Sequence, residues 1–165
     1  MTTLMKLRPY QPSDAPALLE LFRDSIRRVS AKDYSPRQIQ AWASDEIDPD
    51  QWRERFAGRV VLIAEVNQQI AGFAELERDG HIDRFYVSAD HQRMGVGRSL
   101  LLAVVEEAQR LGLTRLFVEA SITARPFFEA HYFTLITEQV VLCRGVELTN
   151  FRMERLLPES QGPAS

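Results

Sequence analysis

Two neighbouring segments contain the residue types that most directly suggest chemistry. The first, HIDRFYV at residues 81–87, places the imidazole of His81 two residues before the carboxylate of Asp83. In a regular strand, alternate residues share a face, so His81, Asp83 and Phe85 would point the same way. Both side chains are titratable, so either could take up or release a proton in a reaction.

The second segment, QRMGVGRS at residues 92–99, suggests an anion site at the start of a helix. The first N–H groups of a helix have no partner within it, and the helix dipole adds positive charge there. Gly95 and Gly97 lack a Cβ, so an anion can approach the backbone, and Arg93 and Arg98 can add charged donors. An ordinary strand-to-helix turn explains these residues about as well as a phosphate site does.

Two widespread phosphate-binding sequences do not fit this segment. A P-loop requires a Gly-Lys pair, and the sequence contains none. The dinucleotide-binding fingerprint requires a third glycine where this chain has Leu100. A nucleotide-binding protein is therefore the weakest functional hypothesis.

Hydrophobic periodicity predicts a mixed α/β sheet that positions both segments within one domain. The domain is expected over residues 1–157, followed by a disordered tail at 158–165. The predicted strands are 4–9, 60–66, 70–77, 81–87, 116–120, 133–141 and 147–156. Helices are predicted from Ser13 or Asp14 to Val29, from Ser35-Pro36 onward, over 98–111 with Gly112 as its cap, and over 126–131.

Composition limits the classes of partner. The 165 residues include 20 Lys plus Arg and 23 Asp plus Glu, a net charge of −3 that argues against a nucleic-acid surface. Cys143 is the single cysteine, and no apolar run approaches the roughly 20 residues that span a bilayer. We expect a cytoplasmic protein with neither a membrane nor a metal site, and a homodimer is left open.

The glycine segment resembles the [RQ]-x-x-G-x-[GA] signature of the GCN5-related N-acetyltransferases (GNATs). Residues 119–133, EASITARPFFEAHYF, are similar to that family's closing motif, N-x-x-A-x-x-F-Y-x-x-x-G-F. The resemblance covers roughly residues 6–156, and the run 119–154 resembles a bacterial subgroup of the family. It implies a single-domain GNAT fold, with a mostly antiparallel central sheet that splays at the cofactor site and helices that flank it.

The resemblance implies acetyl-CoA as the cofactor. The backbone of Phe85 and Val87 would bind the pantetheine arm, as an added strand does. Ser121 replaces a frequent Asn beside that arm. The remaining expected contacts are the signature residues and amides (Gln92, Arg93, Met94, Gly95, Val96, Gly97, Arg98 and Ser99) and a wall formed by Pro126 and Phe127.

The expected reaction is attack of a primary amine on the thioester. An alkyl amine has a pKa near 10, so a nearby base helps, with Asp83 first and His81 second. The Val87 N–H is the natural donor to the developing oxyanion. The family's frequent general acid is a Tyr, and Phe128 stands at that position in this chain. Either Tyr86, Tyr34 or Tyr132 then donates the proton, or coenzyme A leaves as an unprotonated thiolate.

The acceptor pocket is expected to include Tyr34, Trp42 and Glu75, a set suited to a cationic amine. The resemblance predicts an N-acetyltransferase that acts on a small molecule or peptide in a ternary complex. The alternative is a non-catalytic acyl-CoA-binding sensor, which the substitution at Phe128 favours.

Overall fold

The computed structural model describes residues 4–159, which form a seven-stranded sheet with helices on both faces. Three short 3₁₀ turns accompany the main elements of the described chain. In chain order these elements are β1 (Met5–Pro9), α1 (Ala15–Arg28), α2 (Pro36–Trp42), α3 (Pro49–Glu54), β2 (Val60–Val66), β3 (Gln69–Leu76), β4 (His81–Val87), α4 (Val96–Arg110), β5 (Arg115–Ser121), α5 (Arg125–Ala130), β6 (Thr134–Cys143) and β7 (Val146–Leu156).

The strands lie in the order β1-β2-β3-β4-β5-β7-β6, and every neighbouring pair is antiparallel except β4 and β5. The parallel pairing of β4 with β5 is confined to His81 opposite Phe117 and Ile82 opposite Val118. Beyond these two pairs the strands diverge, so the second half of β4 has an open edge in the middle of the sheet. The predicted splay is confirmed.

A β-bulge interrupts β4 at its centre. Ala74 pairs with Phe85 and Leu76 with Ile82, so three steps along β4 oppose two steps along β3. The extra residue shifts the alternation of side chains. Ile82 and Phe85 consequently pack into the same core, and the expectation that His81, Asp83 and Phe85 share one face, which assumed a regular strand, is wrong.

Each face of the sheet has its own core. Helix α4 buries Leu100, Leu101 and Val104 against one face, at the spacing that its sequence predicts. Helices α1 to α3 cover the other face, where Leu18 and Ile26 are fully buried. The two cores hold β4 from both sides, which fixes the position of its open edge.

Local caps begin α2 and end α4 as predicted, whereas Asp14, the N-cap of α1, makes no side-chain capping hydrogen bond. Ser35 precedes Pro36, and its Oγ accepts a hydrogen bond from the Gln38 N–H at 3.2 Å. Gly112 follows α4 with a φ of +76°, as a C-terminal glycine cap requires. Within residues 4–159 no helix is both long and apolar enough to cross a bilayer. Most of the predicted tail, residues 160–165, lies outside the described residues.

Candidate functional site

A cleft follows the open edge of β4 from the start of α4 toward the centre of the sheet. Its walls come from the loop before α4, from β5 and from α5. Of the predicted cofactor contacts, the cleft is lined by Phe85, Val87, Gln92, Arg93, Gly95, Val96, Gly97, Arg98, Ser121 and Phe127. Met94, Ser99 and Pro126 do not line it.

The start of α4 presents unpaired backbone donors to this cleft. Gly95 is the N-cap with a φ of +81°, and it has no side chain to accept hydrogen bonds from the first turn. The first helical bond runs from the Ser99 N–H to the Gly95 oxygen at 3.0 Å, so the N–H groups of residues 96–98 have no acceptor within the helix. This arrangement suits a phosphate group.

Gly97 has a second reason to be glycine. A Cβ at this position would lie 3.1 Å from Cε2 of Phe127, which is closer than an ordinary contact. The missing side chain therefore lets the Phe127 ring pack against the helix start and form a wall of the cleft. Pro126 lies exposed in the first turn of α5.

Backbone groups of β4 face the opening at two positions. The Ser88 N–H donates to the Ala71 oxygen of the β3 segment at 2.7 Å. Because strand residues alternate, the backbone groups of Val87 and Phe85 point the other way, into the cleft. The Val87 oxygen accepts hydrogen bonds from Ser25 Oγ at 3.1 Å and from Gln92 Nε2 at 3.0 Å. Of the two backbone groups of Val87, the N–H is therefore the one that is left for a ligand.

A second cavity, the acceptor pocket, meets the cleft between β4 and β5. Its volume of about 720 Å³ is within the usual range for small-molecule sites. Residues that line both cavities form what we call the junction: Trp42, Asp83, Tyr86, Glu119 and Ser121. Sequence reasoning missed Glu119, although a lone carboxylate within the apolar run LFVEA was a signal.

Asp83 is tied to arginines at the junction. Its Oδ2 accepts hydrogen bonds from Arg55 Nη2 at 2.9 Å and from Arg59 Nη1. Burial opposes ionisation of Asp83, but the Arg59 hydrogen bond and the charge of Arg55 outweigh it and lower the pKa. Asp83 is thus an ionised, weakly basic carboxylate.

His81 lies between two carboxylates. Its Nδ1 contacts Glu77 Oε1 at 2.7 Å and its Nε2 contacts Glu119 Oε2 at 2.5 Å. The hydrogen bond with Glu119 raises the pKa of His81 to about 9 against the opposing effect of burial, and Glu77 adds to the rise. His81 is therefore an imidazolium at neutral pH, which positions Glu119 and is not a free base.

Glu75 does not line the acceptor pocket, because it lies beneath it with a relative exposure of 0%. It accepts hydrogen bonds from Arg84 and from Arg59. Burial raises the pKa of Glu75 although both arginines oppose the change. Its position supports Arg84 and does not allow direct contact with a substrate.

The tyrosines occupy different environments. Tyr34 lines the acceptor pocket, but its hydroxyl already donates to the Thr149 oxygen at 2.7 Å and accepts from the Ile122 N–H at 2.9 Å. Tyr132 is 78% exposed on the surface. Tyr86 lies at the junction, where burial raises its pKa and keeps the hydroxyl protonated.

The family model for the acetyltransferase (GNAT) domain matches residues 30–155. The chain belongs to the GNAT family. It is 37% identical over 149 residues to the N-acetyltransferase YafP of Escherichia coli K12, covering 90% of this chain and 94% of YafP. These matches confirm the predicted family.

Two solved GNAT structures resemble this fold. A GCN5-related N-acetyltransferase from Rhodopseudomonas palustris has a TM-score of 0.90 and 35% identity, with 95% of this chain and 99% of that chain covered. The PaiA N-acetyltransferase of Thermoplasma acidophilum, in complex with coenzyme A, has a TM-score of 0.75 and 18% identity, with 93% and 99% covered. The predicted GNAT fold is confirmed.

The His81 environment predicts a pH-dependent contribution to stability. A histidine whose pKa rises from 6.5 to about 9 on folding stabilises the fold fully below about pH 6.5, and this stabilisation is lost as the pH rises through 9. His81→Gln should therefore lower the free energy of unfolding at about pH 6, and this deficit should shrink by about 2 kcal/mol near pH 10.

Urea unfolding at several pH values measures this effect. His131→Gln is the control, because the His131 Nδ1 contacts the Phe127 oxygen and not a carboxylate. A deficit of His81→Gln that stays constant from pH 6 to 10 would contradict the charged assignment.

Proposed function

We propose that this GNAT protein is an N-acetyltransferase that transfers an acetyl group from acetyl-CoA to a primary amine in a ternary complex. The observation that carries the proposal is the junction, where five side chains line both cavities. A thioester in the cleft and an amine in the acceptor pocket can meet there directly. The complex of PaiA with coenzyme A supports the choice of cofactor.

The cleft offers backbone groups suited to the diphosphate of coenzyme A and to its pantetheine arm. The uncapped amides of residues 96–98 suit the diphosphate, and Arg93 and Arg98 line the same part of the cleft. The outward backbone of Phe85 and the Val87 N–H suit the amides of the pantetheine arm. The bound thioester supplies the electrophilic carbonyl carbon.

The junction residues then have distinct roles. The Val87 N–H donates to the oxygen that becomes negative during attack. Tyr86, kept protonated by burial, donates a hydrogen bond to the departing sulfur, which stabilises the negative charge that forms there. Asp83 and Glu119 hold the ammonium form of the acceptor. Because Asp83 is a weak base, the amine proton passes from the junction to water.

A non-catalytic acyl-CoA sensor remains the second candidate, since Phe128 is buried among aromatic rings and cannot donate a proton. Homodimer formation and a cytoplasmic location stay predictions.

An amine panel with isotope-labelled acetyl-CoA tests catalysis. We expect transfer to at least one amine, and Asp83→Asn should lower kcat/KM at least about tenfold because the ammonium loses its counter-charge. Asp50→Asn, at an exposed carboxylate of α3, should have no effect. Tight coenzyme A binding without transfer to any amine would favour the sensor.

Gly95→Glu tests the anion site by placing a carboxylate beside the unpaired amides. We expect coenzyme A affinity, measured by calorimetry, to fall about 30-fold or more through repulsion of the diphosphate. Gly112→Glu is a matched control at the other end of α4: the φ values are +81° and +76°, and a Cβ meets nothing within 4 Å at either site. Equal affinities of the two variants would place the diphosphate elsewhere.

Tyr86→Phe tests the hydrogen-bond donor to the departing sulfur. We expect kcat to fall about tenfold with unchanged coenzyme A affinity, because a thiolate with a pKa near 8.5 can still depart slowly. Tyr132→Phe should match the native enzyme in steady-state kinetics, since Tyr132 lies on the surface. If kcat fell in Tyr132→Phe but not in Tyr86→Phe, Tyr132 and not Tyr86 would be the donor.

A further inference from the structure

Arg84 lines the acceptor pocket and has a buried guanidinium, one edge of which has no hydrogen-bond partner among the described residues. Its Nε and Nη2 donate to the two carboxylate oxygens of Glu75, and its Cζ lies 4.0 Å from the ring centroid of Trp52. The residue is 5% exposed and lines the pocket. Its Nη1 is buried and has no hydrogen-bond partner among the described residues.

The Nη1 edge of Arg84 is pre-organised to bind a hydrogen-bond acceptor. Glu75 and Trp52 fix the plane of the guanidinium, so little side-chain freedom remains to be lost when a ligand binds. A buried donor without a partner is costly to the fold. A carboxylate oxygen from a ligand is the group that best satisfies an arginine edge.

Asp83 and Glu119, which line the same pocket as Arg84, offer acceptors for an ammonium. The hydrogen bonds to Asp83 from Arg55 and Arg59 both fall on Oδ2, and His81 contacts Oε2 of Glu119. The second oxygens, Asp83 Oδ1 and Glu119 Oε1, accept no side-chain hydrogen bond from the described residues.

Asn150 supplies a third acceptor next to the junction. Its Oδ1 is buried without a partner in the described structure, and the residue lines the acceptor pocket. It pairs across the sheet with Ser121, which belongs to the junction. In this pocket the Arg84 Nη1 donor therefore has no acceptor, and the Asn150 Oδ1 acceptor has no donor.

Deepening the proposed function, on which this inference rests, we propose that the acceptor is a free α-amino acid whose carboxylate binds Arg84 Nη1 and whose ammonium binds at Asp83, Glu119 and Asn150. Arg59 Nη1 donates to both Asp83 Oδ2 and Glu75 Oε1, and the same Glu75 oxygen accepts from Arg84 Nη2, so the charged groups of Asp83 and Arg84 lie close together. An α-amino acid likewise carries its two charged groups on one carbon. Apolar walls from Phe22, Trp52 and Leu148 favour an aromatic or aliphatic side chain.

The reaction balances without a further reactant. The amine nitrogen forms a bond to the acetyl carbon, and the carbon–sulfur bond of the thioester breaks. The ammonium gives up protons as the amide forms, and the thiol of coenzyme A takes up one. The carboxylate is unchanged and serves only for recognition.

Matched acceptors on the native protein test the proposal. We expect kcat/KM for L-phenylalanine to exceed that for 2-phenylethylamine and for the methyl ester by about 100-fold or more. The methyl ester has the less basic amine, so more of it is in the neutral, nucleophilic form at a given pH. Intrinsic reactivity therefore favours the ester, and a preference for L-phenylalanine would have to come from recognition of its carboxylate. Equal kcat/KM values, or preference for the ester, would overturn the proposal but leave the acetyltransferase assignment intact.

Conservative variants locate the recognition. Arg84→Lys keeps a cation beside Glu75 but loses the Nη1 edge, and it should reduce the preference for L-phenylalanine over 2-phenylethylamine to about threefold or less. Arg59 belongs to the same group of ion pairs but does not line the pocket. Arg59→Lys should therefore keep the preference for L-phenylalanine over 2-phenylethylamine. Coenzyme A affinity reports whether each variant is folded, and retained preference in folded Arg84→Lys would contradict the assignment.

Calorimetry separates this proposal from the proposed function. If no amine is acetylated, the acetyltransferase assignment fails, but binding to protein saturated with coenzyme A still reports on the pocket. L-Phenylalanine should then bind at least about tenfold more tightly than 2-phenylethylamine. Equal binding, or no binding of either compound, would overturn the amino-acid subsite.

Discussion

The site depends on one local failure of pairing within the sheet. β4 and β5 share two residue pairs and then separate, although both strands continue. The sheet tolerates this gap because cores on both faces hold β4 in place and β3 pairs with its other edge. A conventional sheet would fill the opening with backbone hydrogen bonds, and neither the cleft nor the junction would exist.

The bulge in β4 distributes side chains around this opening. The extra residue places Phe85 and Val87 toward the α4 core, while Arg84 lies over Trp52 on the opposite side. Asp83 falls between these two environments and lines both cavities. A single inserted residue thus lets consecutive side chains serve the cofactor wall, the junction and the acceptor pocket.

Local patterns allowed most of the fold to be predicted. The bounds of β2 and β4 agree with those predicted, and the Ser35-Pro36 cap begins α2, because these features depend on neighbours in sequence. Motif resemblance then predicted the family and the splay. The side-chain faces of β4 were beyond local patterns, since a bulge depends on the partner strand.

The charged groups were the least predictable part of the site. His81 and Asp83 were singled out by residue type, but their protonation is set by Glu119 and Arg59, which are distant in sequence. Glu75 was expected in the acceptor pocket, yet burial with Arg84 removes it from contact with substrate. Such pairs form only when the sheet brings separate strands and loops together.

A crystal structure of the complex with coenzyme A tests the central claim most directly. The account predicts diphosphate oxygens about 3 Å from the N–H groups of residues 96–98, and the sulfur at the junction beside Tyr86. Coenzyme A bound elsewhere, with the open edge of β4 covered by protein side chains, would contradict it.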